Sequence, residues 1–233
     1  MPGTPNAVSP NGDMPRLVAL ATAVPPHDLA QDDVADRAAT LFGSTEGGFH
    51  RLAPVYRNAR IDRRHACVPL DWFLEAHSFP ERNALFLEHA TALLTAAAAS
   101  ALAQCDLGPE DIDTIVTVCS SGIATPALDA RVMARLGFRS DVQRLPVFGL
   151  GCAGGVLGLS RAAAMAQAAP GSNVLLLVVE LCSLTFRRQD RSKSNIVATA
   201  LFGDGAAAAV ISCRPELAEG RATPTLGPWG EHT

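Results

Sequence analysis

The sequence predicts an α/β layered fold, with a mixed sheet covered by helices. Three observations carry that expectation. From residue 112 onward, short apolar runs alternate with stretches of helical spacing, the signature of strands joined by helices. The run VLLLVVEL, residues 174–181, is apolar almost to its end, as strands are when both sheet faces are covered. The chain has 233 residues, 48% of them hydrophobic and 18% charged, enough to bury a substantial core and too sparsely charged for a disordered chain.

In chain order, residues 1–15 hold four prolines and no apolar segment, so they read as a flexible arm rather than a signal peptide. Arg16–Val24 (RLVALATAV) is a buried strand ended by Pro25 and Pro26. Gln31–Phe42 has helical spacing with Asp32 and Asp33 in its first turn. Residues 44–64 are expected to hold one more helix and a turn. Ser78-Phe79-Pro80 opens a long helix, Glu81–Gln104, whose Ala and Leu residues recur on several faces and place it deep in the core. Strands follow at Ile112–Cys119, Gln143–Phe148, Asn173–Leu181 and Gly205–Ser212, and helices at Ala127–Leu136, Cys152–Ala169 and Asn195–Leu201. From Pro215 the chain is rich in Gly, Pro and Thr. The expected organisation is an arm (1–15), one α/β domain (16–213) and a connector (214–233).

Composition excludes several function classes. A net charge of −4 argues against nucleic-acid binding as the main task. The longest apolar run, Ala90–Ala103, contains three Ser or Thr residues and falls short of the ~18 residues a membrane span needs. A cytoplasmic location is expected. The six cysteines, at 67, 105, 119, 152, 182 and 213, include no CxxC pair, so neither a zinc site nor a disulfide framework is indicated, and no metal is expected. Small core thiols are the default reading for most of them.

Cys152 stands apart. In RLPVFGLGCAGGVLGLSRA, residues 144–162, a strand runs into Gly149-Leu150-Gly151, then Cys152, then Ala153-Gly154-Gly155 and a helix. Glycines on both sides allow a sharp strand-to-helix turn that presents the side chain at its tip, the geometry of a nucleophile elbow. A helix N-terminus is expected to lower the thiol pKa and supply the thiolate that attacks a thioester or carbonyl. The alternative is a buried thiol beside a Gly-rich packing turn.

These residues, with ELCSLTFR at 180–187, ALFGDGAAAAVI at 200–211, CSSGIATPALD at 119–129 and IDRRH at 61–65, resemble the N-terminal part of the type III polyketide synthases, the chalcone/stilbene synthase family. The resemblance runs from about Arg16 to Cys213. It implies the N-terminal half of a thiolase-like αβαβα fold and a homodimer. It implies that Cys152 accepts an acyl group from acyl-CoA, which malonyl-CoA then extends by decarboxylative condensation. Phe202 matches the aromatic gatekeeper between the coenzyme A tunnel and the catalytic cavity. Ser121, Thr125, Cys182 and Thr185 match cavity-lining positions, and Thr125 matches the one that reaches into the partner subunit. All four are small, which favours a long flexible starter and an alkylpyrone or alkylresorcinol product. Arg51, Arg57 and Arg60 fall where the family places phosphate-binding residues for coenzyme A, a task suited to the arginine fork, or else they form a solvated basic face. Coenzyme A thioesters are substrates here, and no resident cofactor is implied. Arg63 and Arg64 match the family too, in a structural part.

Stabilising the enolate oxyanion of decarboxylated malonyl-CoA takes positioned donors. The family draws them from a His and an Asn of its C-terminal half, and the histidines at 27, 50, 65, 77, 89 and 232 match neither. The chain therefore reads as truncated, needing a C-terminal half or partner chain, and a lone half is expected to expose apolar surface. An initiating β-ketoacyl synthase and a non-catalytic partner of a complete homologue are the alternatives.

Overall fold

Five strands build the central sheet and two more form a small antiparallel ladder beside it. A computed structural model describes residues 14–43, 48–220 and 222–228, so most of the expected arm lies outside the described residues. The elements are β1 (Arg16–Ala23), β2 (His27–Ala30), α1 (Gln31–Phe42), α2 (Gly48–Leu52), α3 (Pro54–Asn58), β3 (Arg63–Ala66), α4 (Phe79–Gln104), β4 (Thr114–Cys119), α5 (Leu128–Leu136), β5 (Gln143–Phe148), α6 (Gly154–Ala168), β6 (Asn173–Leu181), α7 (Lys193–Leu201) and β7 (Asp204–Ser212). The sheet order is β1-β7-β6-β4-β5. Strands β5, β4 and β6 run parallel, while β7 is antiparallel to both β6 and β1.

Side-chain alternation along β6 shows why the sheet is covered on both faces. Leu175, Leu177 and Val179 point to the layer of α4 and α5, and Val174 and Leu176 point to α6. Enclosing each such aliphatic side chain is worth about 2 kcal/mol. Helix α4 is held at its start by a capping box: Ser78 N–H donates to Glu81 Oε2 at 2.7 Å while the Ser78 hydroxyl accepts from Glu81 N–H. By length and composition α4 is apolar enough to cross a membrane, an exception to the expectation that no run would be. Here it is a core helix, with Phe86, Ala90, Leu94, Ala97 and Ala101 buried against the sheet.

On the opposite face α6 packs on the Val118 side chain of β4 through two glycines that present no side chain of their own. A Cβ on Gly154 or Gly158 would lie 2.7 Å from a Val118 methyl. That close approach fixes where the start of α6 sits.

Residues 44–64 depart from the expected single helix and turn. Pro54 cannot continue α2 because it lacks an N–H, so two short helices form, followed by β3. Strand β3 pairs with β2, supported by an Arg63–Asp28 ion pair at 2.7 Å. The expected connector also folds back. Leu17 N–H donates to the Pro224 carbonyl and Leu226 N–H to the Pro15 carbonyl, along the free edge of β1.

Candidate active site

The C-terminal ends of the parallel strands β4, β5 and β6 lie at one edge of the sheet, where loops can converge on a ligand. From β5 the chain passes through Gly149 (φ 85°) and Gly151 (φ 55°), both in the left-handed region that favours glycine. Gly149 N–H donates to the Cys119 carbonyl and Gly151 N–H to Ser120 Oγ at 3.0 Å, which pins the turn to the end of β4. Cys152 follows in a single 3-10 turn, Gly151–Ala153, that runs directly into α6. It is solvent-exposed. Phe148, Leu150 and Val156, close to it in sequence, are exposed apolar side chains.

The neighbouring thiols differ. Burial, reinforced by Glu180, pushes the Cys119 thiol up to about 11. Cys182 is also pushed up to about 11, first by burial and then by Glu180, Asp204 and Cys152, so Cys182 and Cys152 are electrostatic neighbours. Both stay protonated at neutral pH. Glu180 Oε1 is buried without a hydrogen-bond partner among the described residues. Iodoacetamide at pH 7.5 is therefore expected to alkylate exposed Cys152 first, with Cys119 and Cys182 following only as the pH approaches about 11. Peptide mapping by mass spectrometry reads the order, and equal labelling of Cys182 at pH 7.5 would contradict it.

A cavity of about 110 Å³ opens beside this edge, between α1, β3, α7 and the turn after β6. Cys182, Thr185 and Phe202 line it, with Leu29, Val34, Phe42 and Phe186 among its apolar walls. Phe202 is 45% exposed, so it is not an ordinary core aromatic. The Thr185 hydroxyl donates to the Cys182 carbonyl at 2.7 Å and closes that turn. Asp204 accepts from Ser183 N–H and from Cys67 N–H, both at 2.8 Å, and so ties the turn to β3 and β7.

Ser121 and Thr125 are not among the residues lining this cavity. The Ser121 hydroxyl accepts from Leu181 N–H at 2.8 Å and joins the loop after β4 to the end of β6. Thr125 is exposed, beside a cis peptide bond to Pro126. Arg51, Arg57 and Arg60 are all exposed on the α2–α3 segment. The arginines that line the cavity are Arg37 and Arg64, whose place there the sequence did not reveal. Arg64 was signalled only through the family resemblance of IDRRH, which gave it a structural part and no place at a cavity.

Comparison with known proteins decides the family: residues 72–215 match the model for chalcone and stilbene synthases, N-terminal domain. The chain belongs to this family. Its fold is that of the thiolase-like type III polyketide synthases, and the crystal structure of 1,3,6,8-tetrahydroxynaphthalene synthase from Streptomyces coelicolor A3(2), a bacterial member, superposes with a TM-score of 0.82 at 29% identity over 85% of this chain and 57% of that one. Among curated relatives, the 1,3,6,8-tetrahydroxynaphthalene synthase of Streptomyces peucetius subsp. caesius is 43% identical over 83% of this chain and 51% of its own length. The alpha-pyrone synthesis polyketide synthase-like Pks18 of Mycobacterium tuberculosis is 34% identical over 84% and 51%. The chain thus spans about half the length of these relatives.

Proposed function

We propose that this chain carries the acyl-loading half of a type III polyketide synthase. The observation that supports the reading is an exposed Cys152 on a strand-to-helix elbow, near an apolar cavity that Cys182, Thr185 and Phe202 line and Cys152 itself does not. The Cys152 thiolate attacks the acyl-CoA carbonyl and coenzyme A leaves as its thiolate, so the acyl group becomes a cysteine thioester. Malonyl-CoA then loses carbon dioxide to give an enolate whose carbon attacks that thioester and releases Cys152. The donors that stabilise the enolate come from outside this chain, in a homodimeric cytoplasmic enzyme.

The starter is a fatty acyl-CoA and the product an alkylpyrone or alkylresorcinol. The apolar cavity walls and the small Cys182 and Thr185 support that choice. A second reading is favoured by the name of the relative that is 43% identical, since a tetrahydroxynaphthalene carries no alkyl chain and needs no fatty starter. Incubation of the purified protein with a long acyl-CoA and malonyl-CoA separates them. An acyl adduct on Cys152 and an alkyl-bearing product are expected. Product from malonyl-CoA alone, with no long-chain adduct, would replace the first reading with the second.

A further inference from the structure

Phe202 sits at the end of α7, and how that end is held bears on the cavity rim. The C-cap is Phe202 itself, in extended conformation (φ −94°, ψ 145°), without a left-handed glycine and with no basic residue in the last helical turn. The carbonyls of a helix C-terminus need other donors. Arg64, reaching over from β3, supplies them. Its Nη1 donates to the Thr199 carbonyl at 2.6 Å and to the Phe202 carbonyl at 2.9 Å, and its Nη2 donates to the Ala200 carbonyl at 2.8 Å and to Gln31 Oε1. These four acceptors are neutral oxygens. The cation therefore faces the negative end of the α7 dipole, an arrangement that favours it. Gln31 Nε2 adds a second donor to the Ala200 carbonyl at 3.1 Å. The strand also touches the turn beyond: a Cβ on Gly203 would lie 3.3 Å from both Arg64 Cβ and the His65 carbonyl oxygen.

We propose that Arg64 is a positioning residue for acyl-chain selection: by gripping the carbonyl end of α7 it fixes Phe202 at the cavity rim, and so sets which acyl chains the cavity accepts when Cys152 is loaded. The inference rests on the acyl-transfer reading above. Lysine keeps the charge but cannot form the planar fork that serves carbonyls on both sides, so Arg64→Lys separates positioning from charge.

The test compares wild type, Arg64→Lys, Phe202→Ala and the double variant by two readouts. Hydrogen exchange in peptides spanning residues 199–203 is expected to quicken about tenfold in Arg64→Lys, with β4 and β6 unchanged. Cys152 acylation across hexanoyl- to palmitoyl-CoA is expected to lose its chain-length preference in Arg64→Lys and in Phe202→Ala alike, with no further loss in the double variant. A purely structural Arg64 would lower thermal stability and leave that preference intact. If Arg64→Lys does not fold, Gln31→Ala, which removes one Arg64 acceptor together with the Gln31 donors to the Ala200 and Tyr56 carbonyls and leaves the Arg64 fork, gives a shift in the same direction at smaller size. Unchanged exchange at 199–203 overturns the proposal whether or not acylation occurs. So does a wild-type chain-length profile in Arg64→Lys, or independent effects in the double variant. Loosened exchange with no acylation even of the wild type sinks the acyl-transfer reading, and the selectivity role with it, while the anchoring of α7 stands.

Discussion

Cys152→Ala abolishes the acyl adduct and lowers product formation by at least about a thousandfold, because no neighbouring group replaces an exposed thiol as the attacking atom. Cys182 is its electrostatic neighbour, but burial and the surrounding carboxylates push that thiol up to about 11, so almost none of it is thiolate at neutral pH. Folding is expected to be spared. Cys152 is exposed and the turn is held by backbone donors of Gly149 and Gly151, which the substitution leaves in place. An exposed truncation of this kind changes stability by about 0.5 kcal/mol or less, a shift of about 2 °C in Tm at this chain length. Intact-mass spectrometry with acyl-CoA and a thermal melt together make the check. An adduct that survives the substitution would move the nucleophile elsewhere, and a collapsed melting curve would give Cys152 a packing role instead.

Features that depend on neighbours in sequence were legible; features that depend on distant partners were not. Helix α1, strand β5 and strand β6 have the expected bounds, since acidic residues in a first turn and an apolar run ended by polar or glycine residues are local signals. The elbow was legible for the same reason, as Gly149 and Gly151 carry the positive φ that the turn requires. The four-residue strands β2 (HDLA) and β3 (RRHA) have no β pattern of their own and exist because they pair with each other. Pro54 did mark a break that splits the expected helix. At the site, Phe202 was read only through the family resemblance. The Ser121 hydroxyl is taken up by Leu181 N–H, 60 residues away, and the Arg64 acceptors on α7 lie 135 to 138 residues away. Nothing in local spacing reports such bonds.

Asp204→Ala is the largest expected loss of stability at the site. The Asp204 side chain is 7% exposed and accepts from Cys67 N–H and Ser183 N–H at 2.8 Å each and from Ser183 Oγ–H at 2.5 Å. Alanine leaves two backbone donors facing a void. Each buried unsatisfied group costs about 1–3 kcal/mol, so the variant should lose about 3 kcal/mol and melt about 10 °C lower. The Ser183 hydroxyl can rotate toward another acceptor, whereas the two amides are fixed by their strand and turn. Asp204→Asn keeps the volume and one accepting oxygen, but it turns an amide NH₂ toward a donor, and about half the loss remains. The same substitution acts on the site as well as on stability. Asp204 holds the turn that carries Cys182 and Thr185 on the cavity wall, so acylation of Cys152 by long-chain substrates should weaken in Asp204→Asn even well below its melting temperature. Thermal melts and acylation rates measured on the same preparations decide it. A variant that melts like the wild type would show that these hydrogen bonds are replaced by others on folding, and that the turn is held from β6 alone.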